Sequence, residues 1–268
     1  MVDLGTPGGL DSGAVAIDGE QIVGDTWTGF SVQPLIAFSW TATGGTQYLG
    51  TLGGPTSTAV AVDAGQVVGR ADTADPPFFG ANIYHAFSWT TAGGIVDLGT
   101  LPGFPFSGAA AVSNGQVVGR SCIYDFVKGP QDGNQCHAFS WTQAGGMVDL
   151  GTLGGSSWAS GVSGGLVVGS FLVGPSGSYV NGFRWTQAGG MVDISNPADL
   201  SNANGVDNGQ VVGFIGSRAF SWTATGGTIS LNPQGSDAMI VRNGQVAGEI
   251  PGFGGSFYHA ALWLVPPP

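Results

Sequence analysis

Three histidines, His85, His137 and His259, open recurring HAxxW segments at one position of a repeat. Imidazole is the commonest metal ligand and a proton carrier at neutral pH, and three converging imidazoles suffice for a catalytic zinc centre. These three fall in separate copies of the repeat, 52 and 122 residues apart, which discourages convergence. Each is read as orienting a turn through a backbone hydrogen bond. Asp3, Asp97, Asp149 and Asp193 recur in the same way and are read as acceptors for backbone N–H groups at strand ends. The copies at Ile36, Asn181 and Arg218 lack the histidine, and Tyr48 and Ser230 replace the aspartate. Neither set is therefore a uniform ligand, and no metal site is expected.

Asp72, Asp75 and Asp125 escape the constraints of the repeat because they lie in its loops. Carboxylates flanking a cleft hydrolyse glycosides, one as acid and one as base or nucleophile. These three are the catalytic candidates, against the plainer reading of solvated acidic loops. No cofactor is implied; Ca²⁺ held by the loop oxygens is the one option open. No Ser-His-Asp set can be placed from spacing. The two cysteines, Cys122 and Cys136, are separated by thirteen residues of one loop. In an oxidising compartment they would form a disulfide, removing roughly 3 kcal/mol of loop entropy from the unfolded chain.

Aromatic residues are the fuller signal. Trp27, Phe30, Phe78, Phe79, Tyr84, Tyr124, Phe126, Tyr179, Phe257 and Tyr258 all sit in, or border, the loops between second and third segments of the repeat. Such rings stack on sugars, apolar polymers or partner side chains, or else fold back into small cores under their own loops. The expected ligand-binding set is Trp27, Phe30, Asp72, Asp75, Tyr84, Tyr124, Asp125, Tyr179, Arg218 and Tyr258.

The elements that must position these residues are short strands. Residues 109–153 contain four apolar segments, each about five residues long, too short for stable helices. Ser113-Asn114-Gly115 joins the first two, since Asn-Gly readily takes the positive φ angles of a tight hairpin turn. The glycine closing the second segment recurs as Gly24, Gly69, Gly119, Gly169, Gly213 and Gly248. The tryptophan of the third recurs as Trp40, Trp89, Trp141, Trp185, Trp222 and Trp263, a mean period of about 45 residues. Four strands repeating at that period point to propeller blades.

The expected fold is an all-β, six-bladed β-propeller of four-stranded blades in a single domain, residues 1–268. Its blades span about 14–51, 59–100, 109–152, 159–195, 203–232 and 238–263. The last copy supplies only three segments, whereas Met1 to Thr6, MVDLGT, matches the fourth segments IVDLGT at Ile95 and MVDLGT at Met147. Residues 1–6 are therefore expected to complete the last blade and close the ring. Long second-to-third loops would share one face, the ligand face; the tight turns of the other offer little to grip.

Composition narrows the partners. Six basic against seventeen acidic residues give a net charge of −11, which repels phosphate backbones and excludes nucleic acid. No apolar run approaches the ~20 residues of a membrane-spanning helix. Only 9% of residues are charged, so the surface is hydroxyl, amide and glycine, with few groups for acid–base work.

The HAFSW segments, the DLGTLGG run from Asp149 to Gly155 and the NGQVVG turn from Asn114 to Gly119 resemble the HAF repeat family of extracellular repeat proteins. The resemblance spans essentially the whole chain. It implies an exported protein and no catalytic residues. Taken together, these readings describe a secreted monomer that recognises carbohydrate or a cell-surface polymer through aromatic and acidic loops. A polysaccharide-active hydrolase or lyase and a scaffold for protein contacts are the alternatives.

Overall fold

The computed structural model describes residues 3–6, 9, 11–27, 29, 35–124, 134–174, 179–195, 199–252 and 258–265. Among them every regular element is a strand. The first sheet is β1 (Asp11–Asp18), β2 (Gln21–Trp27), β3 (Leu35–Thr41) and β4 (Gly45–Tyr48). The second is β5 (Gly53–Asp63), β6 (Gln66–Thr73), β7 (Tyr84–Thr90) and β8 (Gly94–Asp97). The third is β9 (Phe106–Ser113), β10 (Gln116–Tyr124), β11 (Asn134–Thr142) and β12 (Gly146–Gly151). The fourth is β13 (Ser157–Ser163), β14 (Leu166–Val173), β15 (Tyr179–Thr186) and β16 (Gly190–Asp193). The fifth is β17 (Ser201–Asp207), β18 (Gln210–Ile215), β19 (Arg218–Thr223) and β20 (Gly227–Gln234). The sixth has three, β21 (Asp237–Arg242), β22 (Gln245–Pro251) and β23 (Tyr258–Leu264). In every sheet, strands adjacent in sequence are adjacent in space.

The chain divides into two compact units, residues 1–134 with 139–149, and residues 135–138 with 150–268. Sheets one and two and most of sheet three belong to the first. Sheets four to six belong to the second.

One local device recurs in all six sheets. The first strand bulges opposite the glycine of the second: Ala59 pairs with Gly69 and Ala61 with Val68, leaving Val60 extra. The same shift occurs at Gly24, Gly119, Gly169, Gly213 and Gly248. A Cβ on Gly69 would lie 1.9 Å from the Thr58 carbonyl oxygen, which no side-chain adjustment relieves. The recurring glycine is thus a backbone requirement. Tight turns join first and second strands, and Asn114 and Gly115 have φ of 48° and 80°, the hairpin geometry read from Asn-Gly.

Neighbouring sheets within a unit pack through the third-strand tryptophan and a layer of Val and Ala. Trp89 packs with Val23 and Ala37 of sheet one and with Leu49 just after it, and Trp141 with Val68 and Ala86 of sheet two. In the second unit Trp222 joins Val168 of sheet four, and Trp263 joins Val212 and Ala219 of sheet five. Buried serines stitch these interfaces. Ser57 accepts the Ala37 N–H at 3.0 Å, and Ser107 accepts that of Ala86 at 2.8 Å. Ser157, Ser201 and Ser236 do the same for Ala138, Gly182 and Ala219. A second series runs across the tight turns, where Asp18, Asp63 and Asp207 accept the N–H groups of Ala64, Asn114 and Asn243.

The end sheets differ from the rest. Ile17 in β1 is 64% exposed and Leu264 in β23 is 77% exposed. Residues 3–6 carry no strand, and residues 1 and 2 lie outside the described residues. Residues 3–5 nevertheless have the hydrogen bonds of the fourth segment elsewhere. The Gly5 N–H donates to Asp3 and the Ser12 hydroxyl to the Gly5 carbonyl, as Gly99 does to Asp97 and Ser107 to Gly99. Gly5 and Gly99 share a φ of 74°.

Candidate functional site

In the first unit the long-loop ends of sheets two and three carry an aromatic group built on Phe106. Tyr84 and Tyr124 lean on Phe106 at 5.2 and 5.0 Å between ring centroids, and Phe78 meets it edge-on at 6.0 Å. The two tyrosine hydroxyls are 2.9 Å apart, and the Arg70 guanidinium lies 4.9 Å from the Tyr84 ring centroid. Burial, with the hydroxyl of Tyr124, pushes the Tyr84 phenol up to about 12. Tyr84, Tyr124 and Phe78 are therefore largely a small core beneath their loops. Phe79 is the exception: at the tip of the turn bridged by Phe78 and Ala81 it has φ 48°, stacks edge-on against Phe78 and stands 69% exposed. A bulky side chain seldom holds a left-handed conformation.

The acids of the same loop are engaged. Asp72 is only 7% exposed, and the Asn82 side-chain amide donates to it at 3.0 Å. Asp75 accepts the Thr73 hydroxyl at 3.0 Å. Asp72 lies within β6 with its side chain turned inward, so the sequence's acidic loop places one carboxylate in the structure and one at its surface. Trp27 ends β2 and is exposed. Phe30 and Asp125 lie outside the described residues. In the second unit Tyr179 and Tyr258 are exposed at the starts of β15 and β23, and Arg218 is exposed at the start of β19.

The repeated histidine has a different partner from the backbone expected. His85 Nδ1 lies 2.9 and 3.0 Å from the two Asp97 carboxylate oxygens. Asn181, standing in the histidine's place, donates to Asp193 at 3.1 Å. Both pairs are twelve residues apart, as are His137 and Asp149, so the spacing itself was the available signal. The aspartates also take the expected N–H bonds, Gly99 to Asp97 and Ser195 to Asp193, each at 2.7 Å. Burial pushes the Asp97 carboxyl up, but the His85 hydrogen bond, the Gly99 N–H and the His85 charge outweigh it and hold it below the ordinary range. Cys122 and Cys136 form a disulfide between β10 and β11. Among the described residues no three His, Cys, Asp or Glu side chains gather as a metal site would require.

A cleft of about 320 Å³ opens on the tight-turn side between sheets two and three, the side expected to offer little grip. Gln66, Ser88, Thr90 and Val96 line it from sheet two, Trp141 and Gln143 from sheet three. Gln66 Nε2 donates to Ser88 Oγ at 2.8 Å, leaving the half-buried Trp141 indole facing space. At the equivalent place between sheets four and five the sequence has Arg184 for Ser88, and its guanidinium carbon lies 5.1 Å from the Trp222 ring centroid. Sequence reading missed the cleft because it treated the six tryptophans as equivalent packing; the change from FSW to FRW was the visible clue.

No protein-family model matches the sequence, and no curated protein matches it. Solved structures do. The β-propeller domain of the Trilobed protease from Pyrococcus furiosus, described as having an open velcro topology, matches with a TM-score of 0.63 at 10% identity, over 96% of this chain and 81% of that one. A puromycin hydrolase matches at 0.55 and 15% identity, over 90% of this chain and 42% of its own. An acylaminoacyl peptidase from Pyrococcus horikoshii matches at 0.60 and 11% identity, over 94% and 44%. This chain thus spans less than half the length of the last two. The likeness is one of fold: sheets of four antiparallel strands arranged as in β-propeller domains.

Proposed function

We propose that this chain is an exported β-propeller of the HAF repeat type that binds carbohydrate or another neutral cell-surface polymer at the long-loop ends of its sheets. The observation that carries the reading is the contrast at those ends. Phe79, Trp27, Tyr179 and Tyr258 present rings to solvent, while Asp72 and Asp75 are taken up by Asn82 and Thr73. Rings that protrude suit stacking on sugar faces. Carboxylates already spent on loop structure suit catalysis poorly. The disulfide is in keeping with an oxidising, extracytoplasmic location.

The binding face in this proposal belongs to a six-bladed, monomeric ring closed by residues 1–6 on β23. The fourth-segment bonds already present at Asp3, Gly5 and Ser12 support it. Closure would set Asp3 opposite His259 as Asp97 is opposite His85, and offer the Ser12 oxygen to the Ala260 N–H. The open velcro described for the Pyrococcus furiosus domain is the alternative.

A glycan array probed with the purified protein tests the function. Saturable binding to a polysaccharide, lost in Trp27→Ala or Phe79→Ala with melting unchanged, is the expected result. Turnover of a polysaccharide that vanishes in Asp72→Asn or Asp75→Asn would replace binding with catalysis. Silence on every glycan, with specific capture of a protein partner, would favour the scaffold.

A further inference from the structure

We propose that the cleft between sheets two and three is a second binding site, distinct from the loop ends, and that it takes the guanidinium group of an arginine side chain on a partner peptide. The repeat supplies its own precedent. Between sheets four and five the same position is filled from within, Arg184 lying over the face of Trp222 at 5.1 Å. Between sheets two and three the corresponding residue is Ser88, too short to reach Trp141, and a cleft of about 320 Å³ remains. An indole face flanked by low-lying polar groups attracts a planar, weakly hydrated cation.

The polar surroundings fit that occupant. Gln66 uses its amide nitrogen on Ser88, so its amide oxygen remains as an acceptor for guanidinium N–H groups. Asp63 stands at the edge: it pairs with Gln66 across β5 and β6 and accepts the N–H of Asn114, whose neighbour Gly115 lines the cleft. At the filled interface the residue equivalent to Asp63 is the neutral Ser163, which accepts the Asn208 N–H. The interface with a resident cation thus lacks the carboxylate, and the interface with the carboxylate lacks the cation. A net charge of −11 adds long-range attraction for a basic peptide.

The test is NMR of the indole N–H signals of the intact protein, titrated with arginine blocked at both termini, with blocked citrulline as the neutral isostere and methyl glucoside as a neutral sugar. The Trp141 signal should shift saturably with arginine and respond about tenfold more weakly to citrulline, the share that cation–π attraction contributes. Ser88→Arg, which copies the filled interface, should abolish the Trp141 response while melting at or above the wild-type temperature. Arg184→Ser should create a second responsive signal, that of Trp222. Equal shifts with citrulline, a response to methyl glucoside in place of arginine, a Trp141 response that survives Ser88→Arg, or a silent Trp222 in folded Arg184→Ser would each overturn the assignment.

Discussion

Sheets two and six are copies of one sequence repeat and end in opposite conditions. Both have the bulge opposite a glycine, the left-handed tight turn and the same strand register. In sheet two Ala86, Phe87 and Trp89 of the third strand are buried; in sheet six Tyr258, Ala260, Leu262 and Leu264 are exposed. Sheet two lies between two others and has its own fourth strand, whereas sheet six has three strands among the described residues. The geometry of a unit is therefore set locally, and its burial is supplied by neighbours, as in repeat architectures generally. An exposed apolar edge strand invites a partner.

Phe87 gives the largest measure of that difference. It is fully buried against Gly69, whereas sheet six has Ala261 at the same place. Phe87→Ala should cost about 3–5 kcal/mol in urea unfolding, the usual range for emptying a core position. Ala261→Gly should cost only about 0.5–1 kcal/mol, the backbone penalty of glycine in a strand. Similar losses at both sites would mean that sheet six is as well packed as sheet two, and the comparison would fail.

Deleting residues 1–6 addresses the cause of the exposure. If they complete sheet six, three or four ladder hydrogen bonds are lost, about 3–4 kcal/mol at ~1 kcal/mol each. Calorimetry should then show a lower and broader transition. A melt identical to that of the intact chain would leave the ring open.

The serine stitches sharpen the same contrast with a single atom. Ser107→Ala leaves the buried Ala86 N–H without an acceptor and should cost about 1–3 kcal/mol. Ser12 holds the Gly5 carbonyl at a solvent-exposed position. Ser12→Ala should match Ser107→Ala in a closed ring and be almost silent in an open one.

Much of this was legible in the residues. The fixed recurrence of Gly69 and its counterparts, of the tryptophans and of Asn-Gly located strands and turns, because each marks a backbone event that the unit repeats. The cysteines were legible for another reason, the mere thirteen residues between them, and they lie on consecutive strands of one sheet. What each glycine does was not, since the bulge exists only once two strands are in register. The inward turn of Asp72 and the folding of Tyr84 and Tyr124 around Phe106 were hidden because these strand-end positions carry different residues from one copy to the next. The His85–Asp97 pair could have been found from its recurring twelve-residue spacing.

The smallest expected effect is a pH dependence of opposite sign in the two sheets. Asp97 of sheet two has a folded pKa held below its ordinary value. Its contribution to stability is present above the unfolded-state pKa of 3.8 and is lost as pH falls through the lower folded value. Asp97→Asn should therefore destabilise at pH 7 and converge with wild type in acid. Asp237 of sheet six is pushed up by burial and by the nearby Glu249 charge, against the Asn204 hydrogen bond. A raised carboxyl favours the folded state below its unfolded pKa and loses that advantage as pH rises through the folded value. Asp237→Asn keeps an oxygen for Asn204 to donate to and removes the charge, so it should stabilise at pH 7, the gain vanishing in acid. Thermal melts of both variants from pH 3 to 8 read the two slopes. If Asp237→Asn destabilises at neutral pH, its carboxylate has a positive partner in the folded chain and the two sheets do not differ in the sign of their slopes.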